Sequence, residues 1–122
     1  MQAGNLGAPS SHLAAFSGIP VLASDGAVVG TLMLVLTAGA ADALDGIVIE
    51  AQVGGGGARF ADAAAVDAFF ERGVTLALTR EDCAELPRPQ PPPALADATA
   101  PEATGLEAKL RRAWDLLAGS GR

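Results

Sequence analysis

An Asp-Gly pair at Asp25-Gly26 constrains the fold more than any other short feature of this chain. It lies between two apolar, β-favouring segments, residues 18–24 and 27–37. Glycine accepts the positive φ of a tight primed turn, so the pair predicts a two-residue hairpin between two antiparallel strands. Further short apolar runs separated by turn residues follow as far as residue 78. We therefore expect an all-β domain of short strands.

The spacing of these runs predicts about six strands in a small closed β-barrel. Gly30 interrupts the second run, and a glycine inside a strand marks a bulge or a sharp bend of the kind that a small barrel needs at its corners. The predicted strands are residues 18–24, 27–37, 46–53, 58–61, 66–71 and 74–78. Residues 1–16 lack periodicity and are predicted to be a flexible leader, so that the barrel spans residues 17–86.

The end of the chain predicts two further elements. Thr79 can cap a short helix, which Pro87 ends. Residues 87–101 contain six prolines, which favour an extended, semi-rigid linker. Residues 102–118 then predict an amphipathic helix whose apolar stripe recurs at helical spacing. The stripe consists of Leu106, Leu110, Ala113, Trp114 and Leu117.

Charge and cysteine content narrow the functional classes. The 122 residues carry a formal net charge of −6, and residues 1–86 hold three basic side chains against ten carboxylates. So acidic a domain repels phosphate backbones, which argues against direct nucleic-acid binding. With Cys83 as the single cysteine, no intramolecular disulfide can form. No signal peptide or membrane span is recognisable, and we expect a cytoplasmic protein.

Other residues that could carry chemistry favour structural roles. Gly54–Gly57 joins two predicted strands and lacks the Lys-Ser/Thr of a phosphate loop. His12, the single histidine, has no placed nucleophile. Neighbouring carboxylates raise the pKa of the Cys83 thiol and suppress its reactivity. A glycosidase needs paired carboxylates in a cleft, and no cleft is recognisable around Asp62, Asp67 and Glu71. We expect no catalytic residue, cofactor or metal site.

Several motifs together resemble the PRC-barrel family. They are Gly18-Ile19-Pro20-Val21, Asp25-Gly26 before Val29-Gly30, Asp45–Ile49, Arg59–Ala63, Phe70–Thr79 and Leu86-Pro87. The resemblance covers residues 18–87. It implies a barrel of the kind found in the photosynthetic reaction-centre H subunit and in a ribosome maturation factor, and an adaptor without catalytic residues. The family often places a basic and then an acidic residue after its Val-Gly, whereas residues 31–36 are here free of charge, and five of the six are apolar.

These observations predict a non-enzymatic adaptor with two candidate contact surfaces. The first lies on the over-apolar second strand, at Met33, Leu34 and Leu36; the second lies on the helix, at Leu106, Leu110, Trp114 and Leu117. Two interpretations of the helix stay open, since it can fold back over the apolar strand or dock on a protein partner, including a second copy in a homodimer. The alternative function is a ribosome- or RNA-associated assembly factor that acts through a protein contact.

Overall fold

A computed structural model describes residues 6–89 and 105–120 of the chain. Seven strands form one mixed sheet in the order β1-β6-β7-β2-β3-β4-β5, in which β2 and β7 run parallel and the other neighbours antiparallel. The strands are β1 Pro9–Ser10, β2 Pro20–Leu22, β3 Val28–Ala38, β4 Ala43–Ala51, β5 Gly57–Asp62, β6 Val66–Phe70 and β7 Gly73–Leu76. The helices are α1 Arg80–Cys83 and α2 Gly105–Ser120, with short 3-10 helices at His12–Ala14 and Ala63–Ala65.

The predicted closed barrel is wrong, because the sheet is open between β5 and β1. At one end, β1 is only two residues long. At the other end, the chain that leaves α1 covers the outer edge of β5, and the Phe60 N–H donates to the Pro87 carbonyl at 2.7 Å. Because the Phe60 N–H is already paired with Pro87, it is not free to pair with another strand. The fold is therefore β-rich but not a closed barrel.

Arg59 fixes this exit segment against β5. The residue is 7% exposed, and its guanidinium donates to the carbonyl oxygens of Leu86 at 2.7 Å, Ala84 at 3.2 Å and Gly54. The Ala84 and Leu86 carbonyls lie just beyond α1, where the unsatisfied carbonyls of a helix end favour a cation. Thr79 begins α1 as predicted, with its hydroxyl accepting a hydrogen bond from the Asp82 N–H at 3.2 Å.

The Asp25-Gly26 hairpin is confirmed, but its turn is longer than predicted. Ala23 and Ala27 form a backbone hydrogen bond of 2.8 Å across a three-residue loop, and Gly26 has φ 87°. Asp25 keeps a negative φ, which rules out the primed turn with two positive φ values. The Asp25 carboxylate instead accepts hydrogen bonds from the N–H groups of Ala27 and Arg80, and so joins the hairpin to α1.

One core lies on the inner side of the sheet. It is formed by residues from β2 through β7 together with Cys83 of α1, so the sheet must bend around it although its edges do not meet. The fully buried members include Val21, Val29, Ile47, Ile49, Ala61, Val74 and Cys83. Leu6, within the segment expected to be a leader, is also buried, and the Arg72 N–H donates to its carbonyl at 2.8 Å.

Gly30 is required by the close approach of β3 and β4. The register between β2 and β3 shifts there, from Val21 opposite Gly30 to Leu22 opposite Val28, which confirms the predicted bulge. A Cβ at Gly30 would lie 2.2 Å from the backbone carbonyl oxygen of Glu50. Since backbone cannot rotate aside as a side chain can, a larger residue must push the two strands apart.

We expect Gly30→Ala to lower the free energy of unfolding by about 3 kcal/mol, at the upper end of overpacking costs. Gly39→Ala is the matched control, because Gly39 has φ +78° but open space around its Cβ position. Its backbone strain alone costs about 1 kcal/mol. Urea unfolding of both variants measures the difference, and equal losses would contradict a steric role for Gly30.

Candidate interaction site

The outer face of β3, β4 and β5 carries a second apolar cluster, and α2 packs on it. Leu110 and Ala113 of α2 are buried there against Leu36, Val48 and Phe60. Partly buried side chains pack around this centre; they are Met33, Leu34, Ala58 and Leu117. Of the two interpretations of the helix, the structure therefore supports packing over the second strand.

A bulge in β3 explains why so many of its apolar residues reach this face. Leu32 lies opposite Ile49 and Leu34 opposite Val48, so Met33 is an extra residue in the β3 strand. Side chains alternate between faces along a strand, and an extra residue resets that alternation. Leu32 therefore joins the inner core, whereas Leu34 and Leu36 join the α2 side.

A second bulge aims a carboxylate at α2. Leu36 lies opposite Gly46 and Thr37 opposite Leu44, which leaves Asp45 as the extra residue of β4. Bulges commonly redirect a side chain in this way. The Asp45 carboxylate, with 15% of its side chain exposed, lies 3.0 Å from the Lys109 Nζ and 2.5 Å from an Arg112 guanidinium nitrogen.

Two further contacts complete this charged cluster beside the apolar one. The Lys109 Nζ also lies 2.6 Å from the carboxylate of Asp62, and Arg112 donates to the Thr37 carbonyl at 3.0 Å. Asp62 has a second role as the cap of the 3-10 helix Ala63–Ala65, because its carboxylate accepts a hydrogen bond from the Ala64 N–H at 3.0 Å. We call Asp45, Asp62, Lys109 and Arg112 the charge clamp.

The protonation equilibria of the clamp favour its ionised state. Burial raises the pKa of the Asp45 carboxyl, but hydrogen bonds from Lys109 and Arg112 outweigh it, and the net pKa lies below the usual value. The Lys109 hydrogen bond, followed by that of the Ala64 N–H, lowers the pKa of Asp62. The hydrogen bond to Asp62 raises the pKa of the Lys109 ammonium, although burial opposes it.

The predicted contact residues fall into two groups. Leu36 of β3 and Leu110 of α2 are buried in the cluster between the sheet and α2. Met33, Leu34 and Leu117 are partly buried beside them. These five residues thus form the interface between α2 and the sheet. Leu106 and Trp114 are different, because 46% and 41% of their surfaces stay exposed.

A shallow groove of about 170 Å³ lies beside Trp114. Trp114 and Leu117 form one wall on α2, and Ala58, Arg88 and Pro89 form the other on β5 and the exit segment. A second depression of about 260 Å³ continues past Trp114, Leu117 and Ala118. Since all these walls are tied to the sheet, the groove is a preformed concave surface with an aromatic side chain in it.

The remaining candidate groups have structural partners. Gly54–Gly57 connects β4 to β5 with φ between 58° and 87°, as a hairpin loop does. Burial, with smaller contributions from Asp25 and Asp82, raises the pKa of the Cys83 thiol to about 11, which keeps it protonated and unreactive near neutral pH. His12 Nε2–H donates to the Asp42 carbonyl at 2.8 Å.

The other two carboxylates are also engaged and lie apart from the clamp. Asp67 accepts from the Thr75 hydroxyl at 3.2 Å, and Glu71 accepts from the Ala8 N–H at 3.0 Å. Across residues 6–89 and 105–120, no cluster of three or more histidine, cysteine or acidic side chains is arranged to hold a metal ion.

The sequence patterns did not predict the roles of Asp45 and Arg59, or the charge clamp. Lys109 and Arg112 are three residues apart, which places them on one flank of a helix. These two basic residues lie beside the apolar stripe, and residues 1–86 are acidic. Together these features indicated that the helix docks on the acidic domain. The bulge that directs Asp45 had no comparable signal.

No family model matches the chain, and no curated protein matches it. The resemblance to the PRC-barrel family accordingly stays a prediction. Within the described residues, no helix has both the length and the apolar character needed to cross a membrane.

We expect α2 to leave the sheet in acid before the sheet unfolds. The depressed pKa values of Asp45 and Asp62 mean that their stabilisation is complete above the unfolded value of about 3.9 and is lost as the pH falls through the folded values. The raised pKa of Lys109 means that its contribution is complete below about 10.4 and is lost at higher pH. Trp114 fluorescence, the single tryptophan signal, reports α2, and the methyl resonances of Val21 and Val74 in the inner core report the sheet in NMR spectra.

Two variants control this prediction. Asp45→Asn weakens the charge clamp at neutral pH and shifts Trp114 emission to longer wavelength. Asp115 lies on the exposed side of α2, and Asp115→Asn leaves the Trp114 emission unchanged. If Trp114 emission and the sheet signal changed together at every pH, the separate acid release of α2 would be wrong.

Proposed function

We propose that the protein is a non-enzymatic interaction module, in which the β-rich domain is a scaffold and the exposed flank of α2 contacts a protein partner. The observation that carries the proposal is Trp114, which keeps 41% of its surface exposed although the helix beneath it is seated on the sheet. Tryptophan is a frequent interface anchor, since it buries a large area at a small entropic cost.

The support beneath Trp114 strengthens this assignment. Leu110 and Ala113 fix the inner side of α2, and the charge clamp fixes its position along the sheet. A side chain on a fixed support loses little freedom on binding, which lowers the cost of association. The groove between Trp114 and Pro89 suits one or two apolar side chains of a partner.

Other properties of the chain fit this function. The Cys83 thiol is buried and held protonated, so it is a poor nucleophile. Residues 1–86 are strongly acidic, which favours a protein partner over a nucleic acid. We place the module in the cytoplasm, and a second copy of the chain is among its candidate partners. The ribosome-associated alternative stays a prediction, since no described contact favours it.

We expect Trp114→Ala to weaken partner binding by about 2 kcal/mol, or roughly thirtyfold, because it removes the anchor of the contact. The full chain, immobilised, is incubated with lysate of the source cells, and the retained proteins are quantified for wild type and variant. Sedimentation of the free chain at several concentrations tests self-association in parallel.

Phe16→Ala is the matched control. Phe16 is also an exposed aromatic, 71% accessible, but it lies outside α2 and its groove. Retention that falls for Trp114→Ala and not for Phe16→Ala supports the proposed surface. A partner retained equally by wild type and Trp114→Ala would contradict it, provided that circular dichroism shows both proteins folded.

A further inference from the structure

The sheet face beneath α2 has the composition of a receptor for a helix. Its floor is apolar, and two carboxylates, Asp45 and Asp62, stand along one side of it. Grooves that bind amphipathic helices combine such a floor with charges at the rim. The β4 bulge at Asp45 directs one of these carboxylates toward the helix.

The helix that occupies this face shows which features the face selects. Leu110, Ala113 and Leu117 recur at i, i+3 and i+7 and meet the floor. Lys109 and Arg112, at i and i+3, meet the two carboxylates at 2.5–3.0 Å. Charge complementarity therefore specifies both the orientation and the register of an occupant.

The covalent connection to α2 is longer than docking requires. Pro89 lies against Trp114 and Leu117, and α2 begins at Gly105. The helix rises about 14 Å between Gly105 and Trp114, which about five extended residues can span. Fifteen residues, 90–104, separate Pro89 from Gly105 and can reach about 50 Å when extended. The chain thus permits α2 to leave the face while the sheet stays in place.

We propose that this face is a receptor for an amphipathic helix of a partner protein, and that α2 is the internal occupant which such a helix displaces. The partner helix carries basic residues at i and i+3 beside an apolar stripe, as α2 does. The surface differs from the groove beside Trp114, so the proposal goes beyond the function proposed above. Bound α2 makes the module self-inhibited toward such partners.

The probe is a fluorescein-labelled peptide of residues 105–120, whose binding to the full chain is followed by fluorescence anisotropy. In the wild-type chain, the tethered α2 competes with the peptide. In the full chain with Lys109→Glu and Arg112→Glu, like charges at Asp45 and Asp62 repel α2 and free the face. If α2 covers at least nine-tenths of wild-type faces, the peptide binds the released chain at least about tenfold more tightly.

Two controls make the result specific. Arg111→Glu reverses a charge of α2 that lies outside the charge clamp and leaves peptide affinity at the wild-type level. A chain with Asp45→Lys and Asp62→Lys loses the wild-type peptide and instead binds a peptide with Lys109→Glu and Arg112→Glu. This exchange of specificity separates recognition by the face from a general loss of structure.

Two results would overturn the proposal. One is a released chain, verified by a shift of Trp114 emission to longer wavelength, that binds the peptide no more tightly than wild type. The other is a double charge reversal that leaves Trp114 emission unchanged, since the carboxylates would then not select the occupant. Neither result bears on the effect of Trp114→Ala on partner retention.

Discussion

The burial of β3 on both faces is the constraint on which the rest of the structure depends. Residues 31–36 are free of charge, and the Met33 bulge sends Leu32 to the inner core and Leu34 and Leu36 to the outer face. A strand that is apolar on both sides needs two covers. The bending sheet supplies the inner cover, and α2 supplies the outer one.

Apolar packing alone would leave the position of α2 loosely defined, because leucines and alanines are tolerant of sliding. The charge clamp removes that freedom, since Lys109 and Arg112 meet Asp45 only in one register. This register also orients Trp114 outward beside Pro89. The same carboxylates are the basis of our proposal that the face binds basic helices of other proteins.

Features that depend on neighbouring residues were predictable from the sequence. Examples are the Asp25-Gly26 hairpin, the bulge at Gly30 and the Thr79 cap, each of which follows from local backbone preference. The open edge of the sheet was not predictable in this way. It depends on the exit segment, which Arg59 holds against the edge of β5. The clamp joins Arg112 to a residue 67 positions earlier, beyond any local pattern. The apolar stripe of α2 was recognisable, but not which of its members face the sheet.

Nuclear Overhauser contacts between α2 and the sheet test the central claim most directly. The account predicts cross-peaks from the Ala113 methyl and the Leu110 methyls to the ring protons of Phe60, because these side chains are buried together in the outer cluster. It also predicts that the α2 amides exchange with solvent far more slowly than in an isolated peptide of residues 105–120. Absence of these cross-peaks, with α2 amides exchanging as fast as in the peptide, would contradict it.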